Sequence, residues 1–313
     1  MQRDVLAARE RVLGAEHRDT LASRDNVAGI LIHRGKFAEV EKELRVLLPI
    51  EERVQGPEDP DTLKCRSNRN LALALMSQAH YAEAETEFRT LLAIHERLLG
   101  AEHPDTLASR EYLALTLFSE EKDAEAEKEL RALVPIEERV LGAEHPDTLL
   151  SRVNLAGALS GQDKYAEAEK ELRELIPITE RVLGAEHPSN LKNRSNLASA
   201  LGGQDKNAEA EKELRALIPI QERALGPEHP DVSRSYFVLG RRLEAQKKFE
   251  EALVIMQRAE DGWKKALGPE HPAYQTAREV RERIEAEVKK QQAGAVTRRS
   301  TPERARTGSR EPI

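Results

Sequence analysis

Apolar residues recur at helical spacing along two neighbouring segments in the middle of the chain. In the first segment they are Leu149, Val153, Leu155, Ala156 and Leu159. In the second segment they are Tyr165, Ala168, Leu172, Leu175, Ile176, Ile178 and Val182. A polar break at residues 161–164 separates the two segments. Each segment predicts an amphipathic helix with one buried face, and the break predicts a tight turn between two antiparallel helices.

The same helical pair returns along the chain, and a loop phrase marks each copy. The stretch Leu99–Leu107 returns nearly unchanged as Leu141–Leu149. Its glycines are 42 residues apart, with one interval of 44 residues, and they are Gly14, Gly56, Gly100, Gly142, Gly184, Gly226 and Gly268. A fixed period of this size predicts a stacked array of helix pairs. Because no alternating strand pattern occurs in the sequence, the predicted fold is all-α.

The array is predicted to occupy residues 1–291, as a partial first repeat, about six helix pairs and a C-terminal capping helix. Residues 292–313 are rich in Arg, Ser, Thr, Pro and Gly, so they predict a disordered basic tail. Prolines inside four of the second helices predict a bend that sets the curvature of the array. These prolines are Pro49, Pro135, Pro177 and Pro219.

Charge changes this picture in two ways. Charged residues make up 34% of the chain and aromatic residues 4%, which suits long solvated helices and argues against an aromatic-rich pocket. The formal net charge is −7, but residues 293–313 contain five arginines and two acids, a net of +3. The array therefore carries −10, because −7 minus +3 is −10. An acidic array is a poor general binder of nucleic acid phosphates.

The sequence favours a soluble, cytoplasmic protein. Cys65 is the one cysteine, so no intrachain disulfide can form, as is compatible with a reducing compartment. No apolar run approaches the roughly 20 residues that span a bilayer, and the charged start lacks the apolar core of a secretion signal. The basic tail leaves contact with an anionic membrane open as an alternative.

No constellation predicts catalysis, a metal or a cofactor. Histidines recur a full repeat apart, too far for shared ligation of one metal ion, so they predict turn closure before each first helix. They are His17, His103, His145, His187, His229 and His271. Cys65 beside Arg66 is interpreted as a structural thiol, and paired acids such as Glu137 and Glu138 as solvated surface. The chain is therefore predicted not to be an enzyme.

The repeat resembles the tetratricopeptide repeat, in the 42-residue variety of kinesin light chains and many bacterial proteins. The matching residues are Asn154-Leu155-Ala156, Leu159, Tyr165, Ala168, Leu172 and Leu183–Pro188. HEAT and armadillo repeats share the period but lack this type of turn at residues 163–169. The resemblance covers roughly residues 1–290 and implies a right-handed superhelical α-solenoid of antiparallel helix pairs. The chain has no sustained heptads, so motor binding is not carried over.

The resemblance also implies that first helices line a concave face that binds peptide. One inward position holds Asn26, Asn70, Tyr112, Asn154, Asn196 and Val238 in successive repeats. An asparagine amide can donate to and accept from a peptide backbone, although each asparagine could instead bond to the neighbouring repeat. The glycines and serines at Gly157, Ser160, Ser199 and Gly202 predict a shallow hollow beside it.

Basic residues near that face predict a groove for an acidic peptide segment, because arginine suits carboxylate recognition. They are Arg66, Arg69, Lys192, Arg194, Arg234 and Arg241. The alternative is that they pair with acids on the adjacent helix, such as Glu39 and Glu83.

The predicted function is a non-catalytic protein-interaction scaffold or adaptor that binds a peptide segment on its concave face. One alternative is a bacterial kinesin-light-chain-like linker between cytoskeleton and membrane, tethered by the basic tail. Another is a regulatory or sensor array for an enzyme in a different chain. Self-association through the open N-terminal end, at Val5, Leu6 and Val12, is a further expectation.

Overall fold

The computed structural model describes residues 2–66, 75, 78 and 80–299. Within these residues the chain forms fourteen helices and no strand, which confirms the all-α prediction. The helices are α1 Gln2–Leu13, α2 Arg18–His33, α3 Phe37–Val54, α4 Pro60–Arg66, α5 Tyr81–Leu99, α6 Pro104–Ser119, α7 Asp123–Val140, α8 Pro146–Gly161, α9 Tyr165–Leu183, α10 Pro188–Gly203, α11 Asn207–Leu225, α12 Pro230–Ala245, α13 Phe249–Leu267 and α14 Pro272–Arg299.

The chain divides into two compact units, Met1–Ile178 and Thr179–Ile313, with the boundary inside α9. In the first unit, each helix from α1 to α8 packs against the next along the chain. In the second unit, the same holds from α10 to α14. α14 continues past residue 291, where the sequence places the start of the basic tail, and residues 300–313 lie outside the described part.

The apolar stripe predicted for the second helix α9 is buried or half-buried except at its end, where Val182 is 38% exposed. One position of that stripe has no exposed surface in six successive repeats, and it is occupied by Leu44, Phe88, Leu130, Leu172, Leu214 and Met256. The second helices also continue through their internal prolines, as α7 does through Pro135. The curvature predicted from these prolines stays a prediction.

Glycine closes each second helix for a conformational reason. The seven spaced glycines have φ between +85° and +103°, a region in which an L-residue with a Cβ atom is strained. Gly142, for example, has a φ of +102° and follows the last turn of α7. The fixed spacing of the glycines in the sequence therefore reflects the positive φ that each turn between repeats requires.

The recurring histidines cap the first helices, as predicted. In each case the ring Nδ1 accepts the backbone N–H two residues ahead, at 3.1–3.3 Å. The donors are the N–H groups of Asp19, Asp105, Asp147, Ser189, Asp231 and Ala273. Each cap satisfies one of the backbone donors that a helix start leaves without an intrahelical partner.

Replacing His145 with alanine is expected to lower the free energy of unfolding by about 1 kcal/mol, because α8 loses its N-cap acceptor. His145→Asn restores an acceptor of suitable length and should recover most of that loss. Thermal unfolding followed by circular dichroism measures both variants. Equal midpoints for the alanine variant and the wild type would show that the cap contributes nothing.

Charged side chains join successive second helices on their solvent side. Arginines pair with glutamates one repeat ahead, and the pairs are Arg45–Glu83, Arg89–Glu125, Arg131–Glu167 and Arg215–Glu251. The Arg89 and Arg131 pairs measure 2.7 and 2.6 Å. Exposed pairs of this kind contribute about 0–1 kcal/mol each, so they tune the stacking that the apolar core establishes.

Candidate functional site

The asparagines of the predicted inward position fall on first helices. Asn26 on α2 is exposed, while Asn154 on α8 and Asn196 on α10 are half-buried. None of these three side chains makes a hydrogen bond to another described residue. Asn70 and Arg69 lie outside the described residues. In the described part of the chain, no side chain competes with a ligand for these three amides.

Tyr112, which takes the asparagine position in α6, is part of the packing. Its ring stacks on Phe88 of α5, with centroids 5.6 Å apart and planes 8° apart. Tyr112 is half-buried. Its ring face is therefore already occupied by the packing between α5 and α6.

Three of the predicted basic residues are engaged by acids. Arg66 and Arg194 pair with acids of adjacent helices, as the alternative from the sequence expected, and Arg241 pairs with an acid of its own helix. Arg66 bridges Glu52 and Glu87, the latter at 3.1 Å, and its side chain is 13% exposed. Arg241 lies 3.5 Å from Glu244. The acids that hold Arg66 come from α3 and α5, although they are not the Glu39 and Glu83 named from the sequence.

The structure brings three predicted residues together in one pocket of the second unit. Lys192 and Asn196 reach it from α10, and Arg234 reaches it from α12. The pocket has a volume of about 240 Å³, and Leu225 of α11 contributes to its apolar wall. Lys192 and Arg234 each follow the helix-opening proline by four residues, so they hold the same position in consecutive repeats.

Neither cation of this pocket is neutralised by a described residue. Lys192 and Arg234 make no ion pair or hydrogen bond in the described part of the chain. Every other arginine of the second unit whose side chain is described has such a partner. Asp231 lies on the rim, so the three charged residues sum to +1. The pocket is therefore a local positive site on an otherwise acidic chain.

Gln221 of α11 also lines the pocket, and it was not predicted from the sequence. Its side chain is 1% exposed, and Oε1 has no hydrogen-bond partner among the described residues. A buried polar atom without a partner is costly, so a ligand that donates to Oε1 would be favoured. The signal in the sequence was its position, five residues before Gly226, because the equivalent position is polar in all five earlier copies.

The predicted hollow at Gly157 and Gly202 is wrong, because side chains from the neighbouring repeat fill both places. A Cβ atom on Gly202 would lie 2.4 Å from the Arg242 guanidinium, which donates to the Gly202 carbonyl at 2.6 Å. A Cβ atom on Gly157 would lie 3.2 Å from the Phe118 ring. These glycines permit close packing between repeats and leave no space for a ligand side chain.

The described residues give no sign of a metal centre or of a membrane span. No group of three or more His, Cys, Asp or Glu side chains in that part of the chain is arranged to hold a metal ion. None of the described helices combines the length and apolarity needed to cross a membrane. Cys65 is fully buried, and burial raises the pKa of its thiol far above the ordinary value, in keeping with a structural thiol.

Two family models, both described as tetratricopeptide repeat, match the sequence. One matches residues 63–136 and 189–265, and the other matches residues 148–189. Together they cover more than half of the chain. No curated protein sequence matches the chain.

Solved structures share the fold. The nearly identical TPR-like repeats described as a kinesin light chain of Podospora anserina are 29% identical, with a TM-score of 0.56, over 62% of this chain and 92% of that chain. BtubC (BKLC) from P. vanneervenii is 17% identical, with a TM-score of 0.56, over 76% and 92%. A Rap protein complexed with competence and sporulation factor is 10% identical, with a TM-score of 0.52, over 85% and 87%. The last two likenesses are of fold alone.

Proposed function

Because the chain belongs to the tetratricopeptide repeat family, we propose that it is a non-catalytic scaffold that binds a protein segment on its first helices. The observation that carries this proposal is the pocket of Lys192, Asn196, Gln221 and Arg234, in which the cations and the buried amide lack partners. Among proteins of this fold, one Rap protein is known in complex with competence and sporulation factor.

The charges of the pocket favour a carboxylate-bearing segment. Arg234 can hold a carboxylate through two parallel hydrogen bonds, and Lys192 adds a second positive charge on the adjacent first helix. Asp231 on the rim disfavours a ligand with negative charge on both sides of that carboxylate. The preferred segment therefore carries one acid at the pocket, with neutral residues beside it.

The amides of the pocket favour contact with a peptide main chain. Asn196 can donate to a carbonyl and accept from an N–H at once, and Gln221 Oε1 lacks a donor. A peptide N–H directed at Gln221 would satisfy a buried acceptor that the folded chain leaves unpaired. This arrangement holds a segment by its backbone, while Lys192 and Arg234 select its charge.

Arg234→Glu is expected to weaken an acidic peptide at least tenfold, because it replaces the bidentate donor with a like charge. Binding peptides are first selected from an array of extended sequences that vary in acid content. Titration calorimetry then measures the affinity of the selected peptides for each variant. Lys212→Glu is the matched control, since it makes the same charge change at an exposed site of α11 outside the pocket. Two outcomes would count against this pocket as the binding site. One is that the peptides that bind contain no acid, and the other is that both variants lose the same amount of peptide affinity.

The remaining expectations stay predictions. The cytoskeleton–membrane linker depends on the basic tail, of which residues 300–313 lie outside the described part. Self-association depends on α1, where Val5 and Val12 are 40% and 73% exposed and Leu6 is half-buried. A regulatory role for an enzyme in another chain would use the same pocket, so the peptide array is the first experiment for it as well.

A further inference from the structure

Two glutamates are buried at one position of the repeat in the first unit. Glu51 of α3 and Glu137 of α7 are 0% and 1% exposed, and each lies five residues before the glycine that ends its helix. Each faces the first helix of the next repeat, where Cys65 lies beside Glu51 and Ser151 lies beside Glu137. This is a different surface from the pocket of the second unit.

No cation in the described part of the chain pairs with Glu51. Neither of its carboxylate oxygens has a hydrogen-bond partner among the described residues. The groups that face it are Asp25 of α2, Asp59 and Asp61 at the start of α4, and the Cys65 thiol. The nearby cations are engaged elsewhere: Arg18 holds Asp59 and Asp61 at 3.3 and 3.2 Å, and Arg66 holds Glu52 and Glu87.

Glu137 has the same kind of environment. Its Oε2 has no hydrogen-bond partner among the described residues. The groups that face it are Glu111 of α6, Asp147 of α8 and the Ser151 hydroxyl. The ring of His145 lies 3.7 Å from the Asp147 carboxylate and caps α8 through its Nδ1. An ionised Glu137 would therefore be a buried charge surrounded by other acids.

Burial, rather than charge repulsion, is the main cause of the titration behaviour. The pKa of Glu51 and of Glu137 is raised to about 7, first by burial and then by the neighbouring aspartates, while the Cys65 thiol and the Ser151 hydroxyl partly offset the rise. The pKa of Glu111 is also raised to about 7, first by burial and then by Glu137. A folded pKa above the unfolded value means that the stabilising contribution is complete below about pH 4.5 and is lost as the pH rises through about 7.

We propose that protonation controls the stability of two repeat interfaces in the first unit. These interfaces are tightly packed when Glu51 and Glu137 carry protons, and they loosen when the two glutamates lose their protons. The loosening occurs as the pH rises past neutrality, because each interface must then hold an uncompensated buried charge. In the second unit the same position carries Thr179 and Gln221, which do not titrate. The response is therefore confined to the first unit.

The test is hydrogen–deuterium exchange of the full chain, read by mass spectrometry at pH 5.5 and pH 8.5, with exposure times scaled for the intrinsic exchange rate. The wild type is expected to lose at least tenfold in protection at pH 8.5 in α3 and in α7–α8. Peptides from α11–α12, which contain Gln221, are expected to keep theirs. Equal loss in both units would overturn the proposal.

Glu51→Gln combined with Glu137→Gln is expected to remove the pH response of the first unit. Gln221 opposite Ser235 shows that glutamine is compatible with this position, because Glu137 opposite Ser151 is the same pair two repeats earlier. Glu125→Gln with Glu167→Gln is the matched control, since both acids are 56% exposed, and it should keep the wild-type response. An unchanged response in the buried double variant would overturn the proposal.

An infrared difference spectrum provides a readout that does not depend on packing. Between pH 5.5 and pH 8.5 the wild type should lose the band of a protonated carboxyl, and Glu137→Gln alone should reduce that band. If the double variant does not fold, the single variants Glu51→Gln and Glu137→Gln give the same comparison. A protonated carboxyl band that is absent from the wild type at pH 5.5 would overturn the proposal.

Discussion

Replacing Trp263 with alanine is expected to destabilise the C-terminal end of the second unit by about 3–5 kcal/mol, the usual cost of removing a buried tryptophan side chain. Trp263 is 7% exposed and packs with Tyr274, Val280 and Ile284 of α14 in one apolar cluster. Its ring also lies 5.4 Å from that of Phe237 on α12. The substitution leaves a cavity at the interface between α13 and α14.

The effect should be local, because each repeat of an array contacts mainly its neighbours. Trp263 is the one tryptophan of the chain, so its fluorescence reports this interface in the wild type. Urea unfolding followed by circular dichroism measures the alanine variant, and proteolysis of α14 measures the loosening of the end. Lys264→Ala, at the exposed neighbouring position, should change the free energy of unfolding by less than about 0.5 kcal/mol. Similar effects of the two substitutions would mean that α14 does not depend on the tryptophan.

Most of the fold could be predicted from the sequence because the same local sequence features recur in each repeat. The spaced glycines require positive φ, the histidines accept at helix starts, and the apolar stripe fills the core. Seven glycines at a nearly fixed spacing leave few other architectures. Local requirements that recur at the same interval therefore predicted both the helix boundaries and the order of packing.

The fate of individual polar residues could not be predicted in the same way. Glu137 was predicted to be solvated with Glu138, yet Glu137 is 1% exposed whereas the Glu138 side chain is 39% exposed. Glu137 follows Leu133 by four residues and Val134 by three, so it lies on the apolar stripe. The position of Glu137 on the helix determines its burial. The prediction of solvent exposure was wrong because it rested on the charges of Glu137 and Glu138 and not on their helical positions.

The candidate site was predicted in part, because its members lie on different repeats. Lys192, Asn196 and Arg234 were identified from their places on first helices, and the structure brings them into one pocket. Gln221 was missed because it belongs to a second helix, and Arg242 fills the space that the sequence predicted beside Gly202. Which side chain crosses from one repeat to the next depends on packing between helices, which the sequence of one repeat does not contain.

A second set of glutamates has pKa values that are shifted in the opposite direction from those of Glu51 and Glu137. These lowered pKa values predict that acid destabilises the fold. Glu127 of α7 accepts from Lys164 at 2.6 Å, from Arg131 at 2.7 Å and from Gln162 at 2.7 Å. In the second unit, Glu211 accepts from Lys248, Arg215 and Gln246 at 2.7–2.9 Å. Each carboxylate ties a second helix to the turn that opens the next second helix.

Partial burial opposes ionisation of these two glutamates, but the hydrogen bonds from lysine, arginine and glutamine outweigh it. They lower the pKa of Glu127 and of Glu211 to about 2, from an ordinary value of 4.5. A folded pKa below the unfolded value gives a contribution that is present above pH 4.5 and lost as the pH falls towards 2. Each glutamate should thus stabilise the neutral-pH fold by on the order of 2–3 kcal/mol.

Glu127→Gln is therefore expected to lower the free energy of unfolding at pH 6 by about 2 kcal/mol and to have little effect at pH 2. Glu167→Gln is the matched control, because it removes the exposed partner of the same Arg131 and should cost less than about 1 kcal/mol. Urea unfolding at both pH values measures each variant. A loss at pH 6 that matches the control would mean that the three donors hold Glu127 no more firmly than water does, since the amide would then replace the carboxylate without penalty.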